Sequence, residues 1–210
     1  YNQEIFADMN LLKRNIQKHQ GIYSLSLVSY KSSFLYPMKE LNLWAKKNNS
    51  IIIWDLSHAI GSVEIDLIES QTKIAVGCSY KYMNGGPGSP AFLFIEKELQ
   101  NQLNNPIQGW FGHKNPFDFE PNYKPNSGIN KFASGTIPIL SMQAMEAGVD
   151  LTLAAGIKNI RKKSVQLSGF FLNGIEEKLI KLGFKLESPL NKDIRGSHLA
   201  ISHKVSWQIC

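Results

Sequence analysis

The chain has 210 residues, 43% of them hydrophobic and 19% charged, proportions of a globular protein with room for one substantial domain or one domain and part of another. No apolar run approaches the ~20 residues that cross a bilayer, so no membrane-spanning helix is expected. The formal net charge of +6 invites a nucleic-acid partner, but the basic residues fall in scattered pairs such as Lys13-Arg14 and Lys46-Lys47, without a helix-turn-helix, zinc or RNA-binding signature. A lysine-rich solvated surface is the simpler reading, with neither nucleic acid nor membrane as a partner.

In chain order, residues 1–20 carry an amphipathic helix pattern without the apolar block of a signal peptide. Residues 22–30 read as a strand, and 37–49 as a helix with Pro37 in its first turn, where the missing N–H costs least. Ile51 to Asp55 is a continuously apolar strand, as expected when both faces are covered. A short helix over 66–70 and a strand over 74–81 complete a β-α-β-α-β rhythm, which predicts an α/β fold with a mainly parallel sheet covered by helices. A strand over 90–96 and a helix over 96–103 follow. Residues 104–135 form a long loop rich in Gly, Pro, Asn and Phe, a length that usually signals function. Helices over 139–154 and 156–182 lead to a strand-like 198–203.

Cys78 and Cys210 are too few for a disulfide framework, and a reducing cytoplasm is the natural location. The chain does not begin with Met and stops at Cys210 just as a second α+β unit starts, so it is expected to be a piece of a longer protein. On this reading residues 1–155 are part of a large domain, and 156–210 are a connecting helix and the start of a small C-terminal α+β domain.

In open α/β sheets ligands bind at the carboxyl ends of strands. Three candidate groups fall there: Ser29, Asp55 with His58 three residues on, and Lys81 before the turn Gly85-Gly86-Pro87-Gly88. Asp55 and Lys81 stand about one βαβ crossover apart, which places an acid and an amine on neighbouring strands facing one cleft. A lysine at the end of a buried strand needs a partner or a lowered pKa, and a lowered pKa suits an amine nucleophile. Pyridoxal 5'-phosphate (PLP) chemistry asks for this pair: an amine for the cofactor aldehyde and a carboxylate facing the pyridine nitrogen. Tyr80 and Ser29 would then be phosphate ligands. Duller readings stay open: Asp55 as a helix N-cap, His58 as a satisfied half-buried ring, Ser29 bonding a loop backbone, and Lys81 reaching to solvent.

The stretches WDLSHAIGSVEIDL, CSYKYMNGGPGSPAFLFI and GWFGH together resemble the kynureninase family, PLP enzymes of fold type I in the class V aminotransferase group. The resemblance runs from about Ser24 through Arg195-Gly196. It implies the PLP-transferase fold, Lys81 as the Schiff-base lysine, Asp55 as the partner of the pyridine nitrogen and His58 as a cofactor-site histidine. Tyr80 matches a phosphate-contacting tyrosine that assists proton transfers, and Ser29 a cofactor-site serine. Trp110 matches a tryptophan that reaches the phosphate site across a homodimer interface, and Thr136 a Thr or Asn with a similar role. Phe111 and His113 would help shape the substrate pocket.

The implied reaction is hydrolysis of L-kynurenine, or 3-hydroxykynurenine, to the corresponding anthranilate and L-alanine, in tryptophan catabolism and NAD biosynthesis. By the same resemblance, the remaining phosphate-binding residues, a ring-stacking aromatic and a carboxylate-binding arginine lie outside these 210 residues, so the chain alone is expected to be inactive. A cysteine desulfurase or selenocysteine lyase would need a mobile-loop cysteine, which neither Cys78 nor Cys210 supplies. A non-catalytic remnant serving as a dimerisation module is the other alternative.

Overall fold

The computed structural model describes residues 8–210, and the side chains of all of them except 175–177. Helix α1 (Met9–Lys18) begins where the Asp8 carboxylate accepts the Leu11 N–H at 2.9 Å, satisfying one of the orphan donors of a helix start. It covers part of the helix expected over 1–20, of which residues 1–7 lie outside the described residues. Next come β1 (Ile22–Ser26), α2 (Met38–Lys47), β2 (Ile51–Asp55), β3 (Ile74–Cys78), β4 (Ala91–Ile95) and the single-turn α3 (Lys97–Gln100). Two long helices, α4 (Ile139–Ala155) and α5 (Ile157–Lys181), lead to an antiparallel pair, β5 (Lys185–Leu186) and β6 (Ile201–Ser202), and a last turn of helix, α6 (Ser206–Ile209).

The four strands form one sheet in the order β1-β2-β3-β4. β1 and β3 both run parallel to β2, with Ser26 beside Asp55 and Asp55 beside Val76. β4 runs antiparallel to β3, departing from the parallel rhythm. The connection between them contains no helix and bends at Gly86 and Gly88, whose φ of 78° and 77° suit glycine alone. The chain therefore comes straight back as a hairpin-like return.

Two other expectations are corrected in this region. No helix forms over 66–70. The Asp66 carboxylate takes the N–H groups of Ile68 and Glu69 at 2.9 and 2.7 Å, a local side-chain turn that competes with helix. The helix expected over 96–103 is the four-residue α3. The long loop reads correctly, with two short 3-10 turns, Trp110–Gly112 and Gly128–Phe132, inside it.

The core lies between the sheet and helices α1 and α2, and includes Ile16, Leu27, Leu41, Ala45, Ile52, Trp54, Leu56 and Ala75. Burial of each such aliphatic side chain contributes about 1.5–3 kcal/mol. On β2 the apolar run does not mean equal cover on both faces: Ile52 and Trp54 are fully buried, whereas Ile51, Ile53 and Asp55 are half-buried. Trp54 donates its indole N–H to Asn42 Oδ1 at 2.8 Å, and the Asn42 amide donates to Ser70 O and Thr72 Oγ1 at 2.9 and 3.1 Å. That network pins α2 to the sheet. Among the described residues, no helix is long and apolar enough to cross a membrane.

Candidate active site

Each parallel strand hands its chain to a turn at the same end of the sheet, and those turns carry the candidate residues. β2 ends at Asp55, whose Oδ1 accepts the Ser57 N–H at 2.8 Å, while Oδ2 lies 3.5 Å from Ser26 Oγ on β1. The aspartate thus caps a turn, not a helix. Ser57 continues the link: its hydroxyl accepts the Cys78 N–H at 3.2 Å, tying the carboxylate's turn to the end of β3. Sequence reasoning missed Ser57, because a serine inside a turn has no periodic signature.

The turn after β2 closes at Gly61, where φ is 80° and an added Cβ would stand 2.7 Å from the Tyr82 carbonyl. This close approach packs the Asp-Leu-Ser-His turn directly against the segment that carries Lys81. A second contact supports it: Gly148 of α4 lies against the carbonyls of Met83 and Asn84. The lysine turn is thereby held from two sides.

β3 ends at Cys78, not at residue 81, so Lys81 sits three residues beyond the strand and is only half-buried. The lowered amine pKa expected of a buried strand end is not found. Burial is the largest influence and pulls the Lys81 pKa down, but the hydrogen bonds and charges of Tyr80 and Cys78 outweigh it and leave the amine above its ordinary value. Its Nζ stands 5.1 Å from the centroid of the Tyr80 ring, within cation–π reach. Tyr80 is exposed.

His58 falls into the same cluster. Burial, then the Lys81 charge, then His198 depress its pKa, and Asp55 works in the opposite direction. Its ring centroid is 6.4 Å from that of Tyr30 and 6.1 Å from that of His198. A neutral imidazole at pH 7 follows. His198 was not singled out from the sequence, and its place here comes from a pairing across nearly the whole chain.

Ser29 also lies at this end of the sheet, but β1 stops at Ser26. Ser29 belongs to the turn after it, donating its N–H to Phe34 O at 2.9 Å and accepting the Ser33 N–H at 2.8 Å. The structure thus brings together Asp55, His58, Lys81 and Tyr80, with Ser29 in the adjoining turn.

The remaining candidates form a second group in the long loop. Trp110 is 44% exposed, and its ring meets Phe111 and Phe117 edge-on at 4.7 and 5.6 Å. Gly109 touches the Ser134 backbone so closely that a Cβ would lie 1.6 Å from its carbonyl oxygen, which sets the Trp110 turn beside the segment leading to Thr136. Thr136 itself is exposed. His113 is buried with both ring nitrogens engaged in its own loop, Nδ1 accepting the Asn115 N–H at 3.0 Å and Nε2 facing Asn122 O at 3.3 Å. Within this chain His113 therefore shapes the loop.

A cofactor carrying an aldehyde, a basic ring nitrogen and a phosphate matches this donor set: an amine, a carboxylate one strand away and hydroxyls in the turns between. Two buried polar atoms in and beside this cluster, Ser33 Oγ and His198 Nδ1, also lack a partner among the described residues, as a site shaped for a further molecule would have.

Comparison with known proteins places the chain in a family. The family profile described as aminotransferase class-V matches residues 1–202. A kynureninase of Pseudomonas fluorescens is 33% identical over 198 residues, 94% of this chain and 48% of that protein. An apo cysteine desulfurase from Thermococcus onnurineus NA1 superposes with a TM-score of 0.78 at 19% identity, over 96% of this chain and 48% of that one. A C-DES mutant with glycine covalently linked to its PLP cofactor reaches 0.80 at 13% identity, over 95% and 51%. The chain spans about half the length of the curated relatives it matches.

Proposed function

This chain belongs to the aminotransferase class-V family, and from that premise we propose that the whole protein is a PLP-dependent kynureninase, with Lys81, Asp55, His58 and Tyr80 at its cofactor site. The observation that carries the reading is the convergence of Asp55, His58 and Lys81 at one end of the sheet, with His58 feeling the charges of both others. Similarity to kynureninases at 32–33% identity supports the substrate class.

Bound PLP supplies an electron sink for cleavage beside a carbonyl. Asp55, oriented through the Ser57 N–H, would pair with the pyridine nitrogen and keep it protonated. Lys81 would hold the cofactor through its amine, and the same amine would serve as the base for the substrate α-proton. Neutral His58 adds no positive charge beside that amine. The Tyr80 and Ser29 hydroxyls would bind its phosphate. Water adds to the side-chain ketone of kynurenine, and the Cβ–Cγ bond breaks to give anthranilate and L-alanine.

Residues 1–155 would then be part of the large cofactor domain, and 156–210 the connecting helix and the start of the small one. A second copy of the protein would bring Trp110 and Thr136 to the site. Exposure of Trp110, Ile139 and Leu140 supports that homodimer. A cysteine desulfurase reading is less well supported, because Cys78 closes β3 with its N–H bound to Ser57 and is no loop nucleophile.

The test is addition of PLP to the protein, followed by its visible absorption and by anthranilate release from L-kynurenine. The band is expected in the unmodified protein and absent in Lys81→Ala. A band that survives Lys81→Ala overturns the lysine assignment, and a protein that binds PLP but turns over only cysteine overturns the substrate.

A further inference from the structure

We infer that His198 is a positioning residue of the cofactor site, holding the 29–34 turn and the His58 ring in place from across the chain. The inference deepens the PLP reading above and rests on it.

Residues 194–198 lie over the turn that follows β1. Leu35 donates its N–H to Ile194 O at 2.9 Å, and Gly196 donates to Ser33 O at 2.7 Å. Phe34 and Arg195 form an antiparallel bridge. Gly196 fits because it has no side chain, since a Cβ would lie 2.5 Å from Val28 Cγ1. Ser197 Oγ donates to Ser62 O at 3.1 Å, reaching the turn that carries His58. His198 thus follows a segment already stitched to both turns of the site.

Two arginines fix that segment from behind. Arg195 is 2% exposed, and its guanidinium donates to Pro189 O, Leu190 O and Ser168 Oγ at 2.7–3.1 Å. Arg161 of α5 donates to the carbonyls of Lys192, Arg195 and Gly196 at 2.7–3.1 Å. With its neighbours so constrained, the place of His198 is not left to its own side chain.

The tautomer follows from the partner. His198 Nε2 is 3.1 Å from Tyr30 O, and a carbonyl only accepts, so Nε2 carries the hydrogen. Nδ1 is then a bare acceptor in the neutral ring, buried and without a partner among the described residues. Leaving a buried acceptor unpaired is costly, and such a cost persists where a site has use for it. Burial also depresses the His198 pKa, against the Tyr30 hydrogen bond, and keeps the ring neutral.

The consequence falls on His58. Its ring is flanked by Tyr30 and His198, and the charged groups that face it are Lys81 and Asp55. Removing His198 frees Tyr30, opens His58 to water and deletes a neighbour that opposes its protonation. The His58 pKa should therefore rise in His198→Ala.

The experiment uses the full chain and three proteins: unmodified, His198→Ala and His198→Gln. Glutamine can place its Nε2 donor on Tyr30 O and keeps most of the cover over His58. His58 is titrated by NMR without cofactor, and PLP affinity is measured by visible absorption. His198→Ala is expected to raise the His58 pKa and weaken PLP binding about tenfold, and His198→Gln to recover most of both. An unchanged His58 titration in His198→Ala overturns the inference, as does a His198→Gln protein no better than alanine. Failure of the unmodified protein to bind PLP would count against the functional reading instead, since the cofactor-free titration reports on His198 independently.

Discussion

Gly148 of α4 and the Met83 carbonyl are in direct contact: a Cβ on Gly148 would stand 2.3 Å from that oxygen, and 2.9 Å from the Asn84 carbonyl. The Asn84 N–H in turn binds Lys81 O at 3.1 Å. A helix far along the chain therefore presses on the turn that carries the candidate catalytic amine.

Gly148→Ala sets two effects against each other. Alanine favours helix by up to about 1 kcal/mol over glycine, whereas overpacking against backbone costs about 1–3 kcal/mol. Overpacking should win, with net destabilisation in urea unfolding and weaker PLP binding. Gly169 of α5 has open space where its Cβ would go, so Gly169→Ala should stabilise. If both variants move the urea midpoint the same way, the contact has no energetic weight.

Asn42→Ala removes the acceptor of the buried Trp54 indole and the donor to Ser70 O. Each buried group left unpaired costs about 1–3 kcal/mol, and a total loss of about 2–4 kcal/mol in unfolding free energy is expected. Trp54 adjoins Asp55, but the asparagine ties its indole to α2 and to Ser70 and Thr72, none of them a candidate site residue, so PLP affinity of the folded protein should hold. A loss below about 0.5 kcal/mol would show that water replaces the asparagine.

His58 and His198 both have pKa values lowered by burial, so the folded chain resists protonating them. The unfolded chain takes up those protons near pH 6.5, and stability falls as pH drops through that value towards the folded ones. Above it their contribution is fully present. Urea midpoints taken from pH 8 to pH 5 should decline, and the double variant His58→Gln with His198→Gln should flatten the upper part of that decline. An unaltered slope would assign the pH dependence to carboxylates.

The sequence made some of this plain and hid the rest for identifiable reasons. β2 was legible to the residue, because three isoleucines and a tryptophan end abruptly at Asp55. The break between α4 and α5 was legible to within a residue: the second helix was expected from 156, whereas Gly156, with φ of 77°, separates the two. That Asp55, His58, Tyr80 and Lys81 fall at one end of the sheet was legible because they sit in two compact motifs in the turns after β2 and β3. The end of β3 was misread, since Ser79 to Lys81 continue an alternating pattern after the ladder has stopped. The reversal at β4 was invisible because the apolar pattern of a strand reads alike in either direction. Ser57 and His198 act through contacts that no local spacing announces.

The bond from His198 to Tyr30 spans 168 residues of sequence. Loop-closure entropy grows only with the logarithm of length, and doubling the intervening chain adds about 0.6 kcal/mol. Insertions in the surface loop between residues 104 and 135 would therefore barely tax the closure that assembles the cleft. What the clasp cannot absorb is a change within its own few residues, where Gly196 and Arg195 have no slack.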